Sequence, residues 1–301
     1  MSIKNFDELI NKVKGFEDKR KVAIIAAHDE HTLEAVFRAV ENNIIEPVLI
    51  GNAEEIKKII KKLNKNLNHE NIIDISNDIE AAYLGVELAA KGEVDFIMKG
   101  MIQTPDLLKA VVDKENGLRT GNIMSHFVIN EIPNYHKLLV TTDGGMMTYP
   151  DVDQKRQIIE NAVNVLLQLG YEEPKVAVLA ATENINLKMP ESVDADKLKE
   201  MNQGGVITNC IVEGPISYDL TMSKEAAEIK GYNSPVSGDA DVLIVPNITA
   251  GNILGKSLIY SAGAKMAGFI VGAKVPIVLT SRGSSSDEKY LSLVLCAAAA
   301  K

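Results

Sequence analysis

Tryptophan is absent from the 301 residues, cysteine occurs twice, and aromatic side chains make up only 5%. A core built from this chain must rest on Ile, Val, Leu, Ala and Met, and so on aliphatic volume rather than ring stacking. Cys210 and Cys296 have no partner at metal or redox spacing, and each lies in an apolar run. Both are expected to be buried thiols, with no disulfide framework, which fits a reducing compartment. No apolar stretch reaches the roughly 18 residues a membrane span requires. The polar start, Met1 to Arg20, lacks the apolar centre of a signal peptide. The expectation is a soluble, cytoplasmic protein that engages no membrane. Positive charge is also short: 32 Lys and Arg against 41 Asp and Glu give a formal charge of −9. That argues against a nucleic-acid surface but leaves room for a local cationic pocket. Neither a Walker A pattern nor G-x-G-x-x-G occurs, which counts against a P-loop enzyme or a classical dinucleotide-binding domain.

What is present is the balance of a packed globular protein, 46% hydrophobic and 24% charged. The length suits two α/β domains or one large one. Short Val/Ile-rich runs predict strands at Val22–Ala27, Pro47–Gly51, Asn71–Ile75, Asp95–Lys99, Met124–Ile129 and Lys137–Thr142. Further strands are predicted at Lys175–Ala180, Val206–Val212, Asp241–Pro246, Gly268–Ala273 and Pro276–Thr280. Their lack of polar alternation points to strands buried on both faces, as in a parallel sheet. Amphipathic helices fall between them, including His31–Asn43, Ala53–Leu63, Ile79–Ala90, Asp151–Leu169, Ala250–Ala264 and Asp287–Ala300. This alternation reads as a doubly wound α/β architecture. Lys21–Ala27 and Lys175–Ala181 echo one another. Either buried strands draw on few residue types, or two domains open alike. The apolar end Cys296–Lys301 needs cover and is expected to dock on the body of the protein.

The stretch Thr280-Ser-Arg-Gly-Ser-Ser-Ser-Asp-Glu288 lies between a predicted strand and the last helix. Such a turn presents free backbone N–H groups and the positive end of a helix dipole, and Arg282 adds a planar fork suited to phosphate. Ser285 or Ser286 could equally serve as a simple helix cap, with Asp287 and Glu288 favourable in the first turn. Val245-Pro-Asn-Ile-Thr-Ala-Gly-Asn-Ile-Leu254 is a second candidate. There Asn247, Thr249 and Asn252 offer polar groups and Gly251 would let a ligand approach the backbone, unless the segment is an ordinary capped turn. Gly117–His126 is a third, with Arg119, Thr120 and Ser125 as possible anion contacts. His28-Asp-Glu-His31 reads as a loop and helix cap rather than a metal site. Asp143-Gly-Gly145 reads as a turn.

Together these segments resemble the phosphate acetyl/butyryltransferase family. The match is densest from Asp239 to Glu288, through Asp-Val-Leu-Ile-Val-Pro-Asn, Ala-Gly-Asn-Ile, Leu-Ile-Tyr-Ser-Ala-Gly-Ala-Lys-Met-Ala-Gly and Ser281-Arg-Gly. It extends back through Lys175–Ala181, Tyr149–Arg156, Asp95–Thr104 and Ile44–Gly51. The short length, Phe127 and the Thr141-Thr-Asp-Gly-Gly145 turn look like the butyryltransferase branch. The resemblance implies a two-domain α/β fold of the isocitrate/isopropylmalate dehydrogenase type, with an interdomain cleft. The first domain would be 1–133 plus 274–301 and the second 134–273. The implied reaction interconverts butanoyl-CoA plus phosphate with butanoyl phosphate plus coenzyme A, by direct transfer in a ternary complex. Acetyl-CoA is the alternative substrate.

On the same basis Ser281 and Arg282 would stabilise charge at the reacting carbonyl and phosphate. Asp287, with Glu288 as its rival, would be the general base. The acetyl enzymes place that acid seven residues beyond the Ser, where this chain has Glu288. Arg119, Thr120, Ser125, Asn247, Gly251 and Asn252 would contact substrate. No permanently bound cofactor and no metal is expected, only coenzyme A, its acyl thioester and phosphate as substrates. A homo-oligomer, dimer or higher, is implied. Two rivals stand beside this reading: a metal-dependent NAD(P) decarboxylating dehydrogenase of similar fold, for which Asp239 and Asp241 are available, and a non-catalytic acyl-CoA or acyl-phosphate sensor.

Overall fold

Short polar side chains set several of the helix starts along this chain. Asp29 accepts from the Thr32 N–H, Asn52 from Glu54 and Glu55, and Asn77 from Ile79 and Glu80. Asp151, Asn247 and Ser285 cap three later helices in the same way. The computed structural model describes residues 2–66, 71–281 and 283–300.

The first elements are α1 (Phe6–Lys14), β1 (Arg20–Ile25), α2 (Glu30–Glu41), β2 (Ile45–Gly51), α3 (Ala53–Lys62) and β3 (Ile72–Asp74). Then come α4 (Asp78–Ala90), β4 (Phe96–Lys99), α5 (Thr104–Val111), β5 (Ser125–Glu131), β6 (Leu139–Thr142) and α6 (Val152–Gln168). They are followed by β7 (Lys175–Leu179), α7 (Pro190–Gln203), β8 (Ile211–Ile216), α8 (Tyr218–Met222) and α9 (Lys224–Lys230). The last are β9 (Val242–Ile244), α10 (Ile248–Tyr260), β10 (Lys265–Val271), β11 (Ile277–Val278) and α11 (Ser286–Ala299).

The chain divides into two compact units: Asp7–Asn122 with Ala267–Lys301, and Met1–Phe6 with Ile123–Met266. The resemblance implies divisions at 133/134 and 273/274. The stretch 123–133 instead belongs with the middle of the chain. There β5 pairs antiparallel with β6, and the Asn130 amide donates to the Leu139 carbonyl at 3.1 Å.

In the unit containing α11 the strand order is β3-β2-β1-β4-β11-β10. All neighbours are parallel except β10 and β11. Val22, Ala23, Ile24 and Ile25 are fully buried in succession, which is why β1 shows no polar alternation. Helix α11 packs against α2, and every residue from Lys289 to Ala299 is buried, so the apolar end has the cover it needs. Cys296 lies within it as a free thiol.

In the other unit the order is β5-β6-β9-β7-β8, with only β5 antiparallel. Its core includes Tyr135, Leu139, Leu179, Ile216, Leu243 and Leu258. The strand expected at Val206–Val212 begins instead at Ile211. The Asn202 amide holds 207–210 as a turn by donating to the carbonyls of Ile207 and Cys210, at 3.0 and 2.9 Å. Asn209 in that turn has a left-handed φ of 61°. Pro215 is tolerated inside β8 because β8 is the edge strand. Helix α10 ends at Tyr260, short of the expected Ala264, where Gly263 takes a φ of 68° and the chain turns into β10.

Candidate active site

The carboxyl ends of β1, β4 and β11 lie side by side, since Ile25 is opposite Lys99 and Val278 opposite Met98. In open α/β sheets this is the edge at which ligands gather. The chain leaving β11 passes through Thr280 and Ser281 and enters α11, whose first turn holds Asp287 and Glu288. Ser281 is exposed, and its hydroxyl oxygen accepts from the Gly283 N–H at 3.4 Å. Ser285 is the N-cap, accepting from the Glu288 N–H at 3.2 Å. The Glu288 carboxylate in turn accepts from the Ser284 hydroxyl at 2.5 Å. Asp287 turns toward α2 and forms an ion pair with Arg38, whose guanidinium carbon lies 4.0 Å over the Tyr290 ring. Arg282 lies outside the described residues.

Two buried lysines that no sequence motif marks also stand at this edge. Lys99 ends β4 and donates to the Gly100 carbonyl at 3.2 Å. The Lys289 ammonium lies 3.2 Å from the Thr32 hydroxyl, 3.3 Å from that of Thr280 and 3.6 Å from the Asp29 carboxylate. The signal was available: Lys99 ends, and Lys289 begins, a run that is otherwise largely apolar and buried. Burial raises the Asp29 carboxyl, but bonds from Thr32 and the charge of Lys289 outweigh it and hold the group below its ordinary value. Asp29 caps α2, while His28 pairs with Asp78 at 3.9 Å and His31 with Glu34 at 3.5 Å, so the His28–His31 stretch acts as a loop and cap.

Arg119 and Thr120 are not brought to this edge. Arg119 bridges to Ala273, and the Thr120 hydroxyl donates to the Gly272 carbonyl at 2.7 Å, both before β11 begins. They therefore stand at the opposite end of β11 from Ser281. The one proton of the Thr120 hydroxyl is already given to a backbone carbonyl.

The remaining candidates belong to the other unit, where Ser125, Asn247, Gly251 and Asn252 gather at the carboxyl ends of β6 and β9. Ser125 is 1% exposed and accepts from the Asn161 amide at 3.0 Å, so it faces the interior rather than an incoming anion. Asn247 is a helix cap, bound by the Ala250 N–H at 3.1 Å. Gly251 does not open the backbone to a ligand. A Cβ there would stand 2.7 Å from the Gly144 Cα and 2.8 Å from Val245 Cγ2. Its bareness serves close packing of α10 on the 143–147 turn. Asn252 is exposed on α10.

Asp143 builds that turn, accepting the N–H groups of Gly145 and Met146 at 2.8 Å and of Met147 at 3.1 Å. His126, also missed, sits against Gly145: a Cβ on that glycine would come within 2.5 Å of its ring. Burial lowers the His126 pKa, with the nearby Asp143 charge opposing. Among the described residues, no three His, Cys, Asp or Glu side chains are grouped to hold a metal ion.

The family model described as phosphate acetyl/butaryl transferase matches residues 75–298. The phosphate acetyltransferase of Thermotoga maritima is 46% identical over 97% of this chain and 98% of its own. The phosphate butyryltransferase of Clostridium acetobutylicum is 42% identical over 98% of each chain. Among solved structures, a branched-chain phosphotransacylase from Enterococcus faecalis V583 is 36% identical, with a TM-score of 0.80, over 92% of this chain and 97% of that one. A 4-hydroxythreonine-4-phosphate dehydrogenase from Burkholderia phymatum shares the fold at a TM-score of 0.57 and 13% identity, over 94% and 99%.

Proposed function

Because this chain belongs to the phosphate acetyl/butaryl transferase family and is a phosphate acyltransferase, we propose that it moves a butanoyl group between coenzyme A and inorganic phosphate. The observation that carries the four-carbon substrate is full-length similarity to butyryltransferases, at 42% and 40% identity. The branched-chain phosphotransacylase structure adds support for an acyl pocket larger than acetyl needs. Acetyl transfer is the second reading, favoured by the 46% identity to the Thermotoga enzyme. That enzyme is matched over 98% of its own length, so a short chain does not separate the two substrates.

Toward acyl phosphate, a phosphate oxygen attacks the thioester carbonyl carbon. The new C–O bond forms, the C–S bond breaks, and the departing sulfur takes up a proton. In reverse, the thiol gives its proton to a base, sulfur attacks the acyl phosphate carbon, and the C–O bond to phosphate breaks. Only a few per cent of a thiol with pKa about 8.5 is ionised at pH 7, so a base is worth roughly 10²–10⁴-fold. We assign that role to Glu288, not Asp287, because Asp287 is committed to Arg38 while Glu288 is held within the loop by a single-proton donor, Ser284. Ser281 would donate to the developing oxyanion, and Arg282 would supply charge and a bidentate fork to phosphate. The start of α11 favours an anion at the same place.

Trapping acyl phosphate as its hydroxamate, with acetyl-, propanoyl- and butanoyl-CoA in turn, tests the substrate. The expected kcat/KM for butanoyl-CoA exceeds that for acetyl-CoA by at least about tenfold, the scale of one or two methylenes in a fitted pocket. Equal or faster acetyl transfer would replace the butanoyl assignment.

A further inference from the structure

Lys289 occupies a place where a lysine is hard to accommodate. It is 3% exposed, and the ten residues that follow it in α11 are all buried. It lies in the first turn of that helix, where the dipole opposes a cation. An aliphatic side chain would fill the space without either penalty. What the ammonium does instead is join three elements. Thr280 leaves β11, Asp29 and Thr32 begin α2, and Lys289 itself begins α11. Asp29 is fixed in turn by the Thr32 N–H at 2.9 Å.

The sequence positions of these groups give the arrangement its meaning. Thr280 is the residue before Ser281, and Lys289 is the residue after Glu288. A single hydrogen bond of 3.3 Å, from Nζ to the Thr280 hydroxyl, therefore ties together the two ends of the stretch that carries the proposed oxyanion donor and the proposed base. The Asp29 carboxylate and Thr32 hydroxyl anchor that tie to the neighbouring helix.

We propose that Lys289 is a positioning residue for acyl transfer, fixing Ser281 and Glu288 relative to one another through the Thr280 hydroxyl. This rests on the acyltransferase reading of the Ser281–Glu288 stretch. Preorganisation of that kind acts on the transition state, so its loss appears in kcat more than in the KM for acyl-CoA.

Thr280→Val keeps the shape of the side chain and removes the hydroxyl, whereas Thr280→Ser keeps the hydroxyl and removes the methyl. Initial rates of phosphate-dependent thiol release are measured for both, with melting temperatures alongside. The expected result is a kcat at least tenfold lower for Thr280→Val, with the KM for acyl-CoA within twofold of wild type. Thr280→Ser is expected within threefold of wild type in both constants. Lys289→Met should lower kcat at least as far as Thr280→Val, and the Thr280 pair decides the matter if Lys289→Met does not fold. A folded Thr280→Val with wild-type kcat would overturn the proposal, as would a Thr280→Ser as impaired as Thr280→Val. An inactive wild type would sink the acyltransferase reading and this proposal together. An active wild type with an unaffected Thr280→Val would sink this proposal alone.

Discussion

Asp287 and Glu288 are adjacent in sequence but engaged in opposite directions: Asp287 is ion-paired with Arg38 of α2, and Glu288 accepts the Ser284 hydroxyl at 2.5 Å. Arg38 is steadied by the Tyr290 ring beneath it, which strengthens its hold on Asp287. The family spacing of seven residues from Ser281 points to Glu288.

Glu288→Gln should therefore lower kcat by roughly 10²–10⁴-fold, the usual worth of a general base. Asp287→Asn should stay within a few-fold of wild type. Turnover at saturating substrate for the two variants decides between them. Full activity in both would remove the base mechanism from this loop.

Gly251→Ala should destabilise the protein although it adds only a methyl. The new Cβ would meet the Gly144 Cα at 2.7 Å and Val245 Cγ2 at 2.8 Å, and a backbone atom cannot rotate away. Overpacking of this kind costs about 1–3 kcal/mol. Denaturant unfolding should show a lowered midpoint with an unchanged slope; a wild-type midpoint would show that the turn yields.

At the other end of that unit's sheet, Lys137 lies 2.8 Å from Asp239 and 2.6 Å from Asp241, and His136 lies 2.9 Å from Asp239. Burial raises the Asp239 carboxyl, but hydrogen bonds from Lys137, Lys175 and His136 overcome it and leave the group far below its ordinary 3.8. Its folded pKa is depressed, so its stabilising contribution is present above the unfolded value near pH 4 and fades as pH falls toward the folded one. Asp239→Asn should flatten the decline of stability below about pH 4, as read from unfolding curves at several pH values. Parallel declines in variant and wild type would contradict the assignment. Lys137→Met takes the ammonium from the buried Asp241, which keeps the Lys175 N–H at 2.8 Å, and should cost about 3–5 kcal/mol in the same unfolding curves.

Neither thiol of the folded protein should react readily with a disulfide reagent at pH 7–8. Burial pushes Cys210 up to about 11 and Cys296 well above its ordinary value. A denatured sample should release colour for two thiols per chain and a native one for almost none. Rapid native reaction would mean that one of these sites opens readily.

Buried parallel strands were the most legible feature of the sequence, because Val22–Ile25 and Phe96–Met98 carry no polar alternation to confuse the reading. Helix starts were legible where Asp29, Asp151 and Ser285 stand before an apolar period. The start of β8 was not, since the turn before it depends on Asn202, a side chain from the preceding helix. At the site, the Ser281–Glu288 stretch could be read from its chemistry. Gly251 could not, because a glycine that admits a ligand and one that admits Gly144 look the same in one dimension. Arg119 and Thr120 were named from residue type and from the family resemblance, and only the pairing with Ala273 and Gly272 shows which end of β11 they occupy. Lys99 and Lys289 were passed over because a lone lysine beside an apolar run is ordinarily a solvated end.

The most direct measurement is thiol release from butanoyl-CoA and acetyl-CoA, each with and without inorganic phosphate. The prediction is release that requires phosphate with both substrates and is faster with butanoyl-CoA. Phosphate-dependent release that is equal or faster with acetyl-CoA would contradict the butanoyl assignment and leave the reaction in place. Release that ignores phosphate, or none at all, would contradict acyl transfer to phosphate itself.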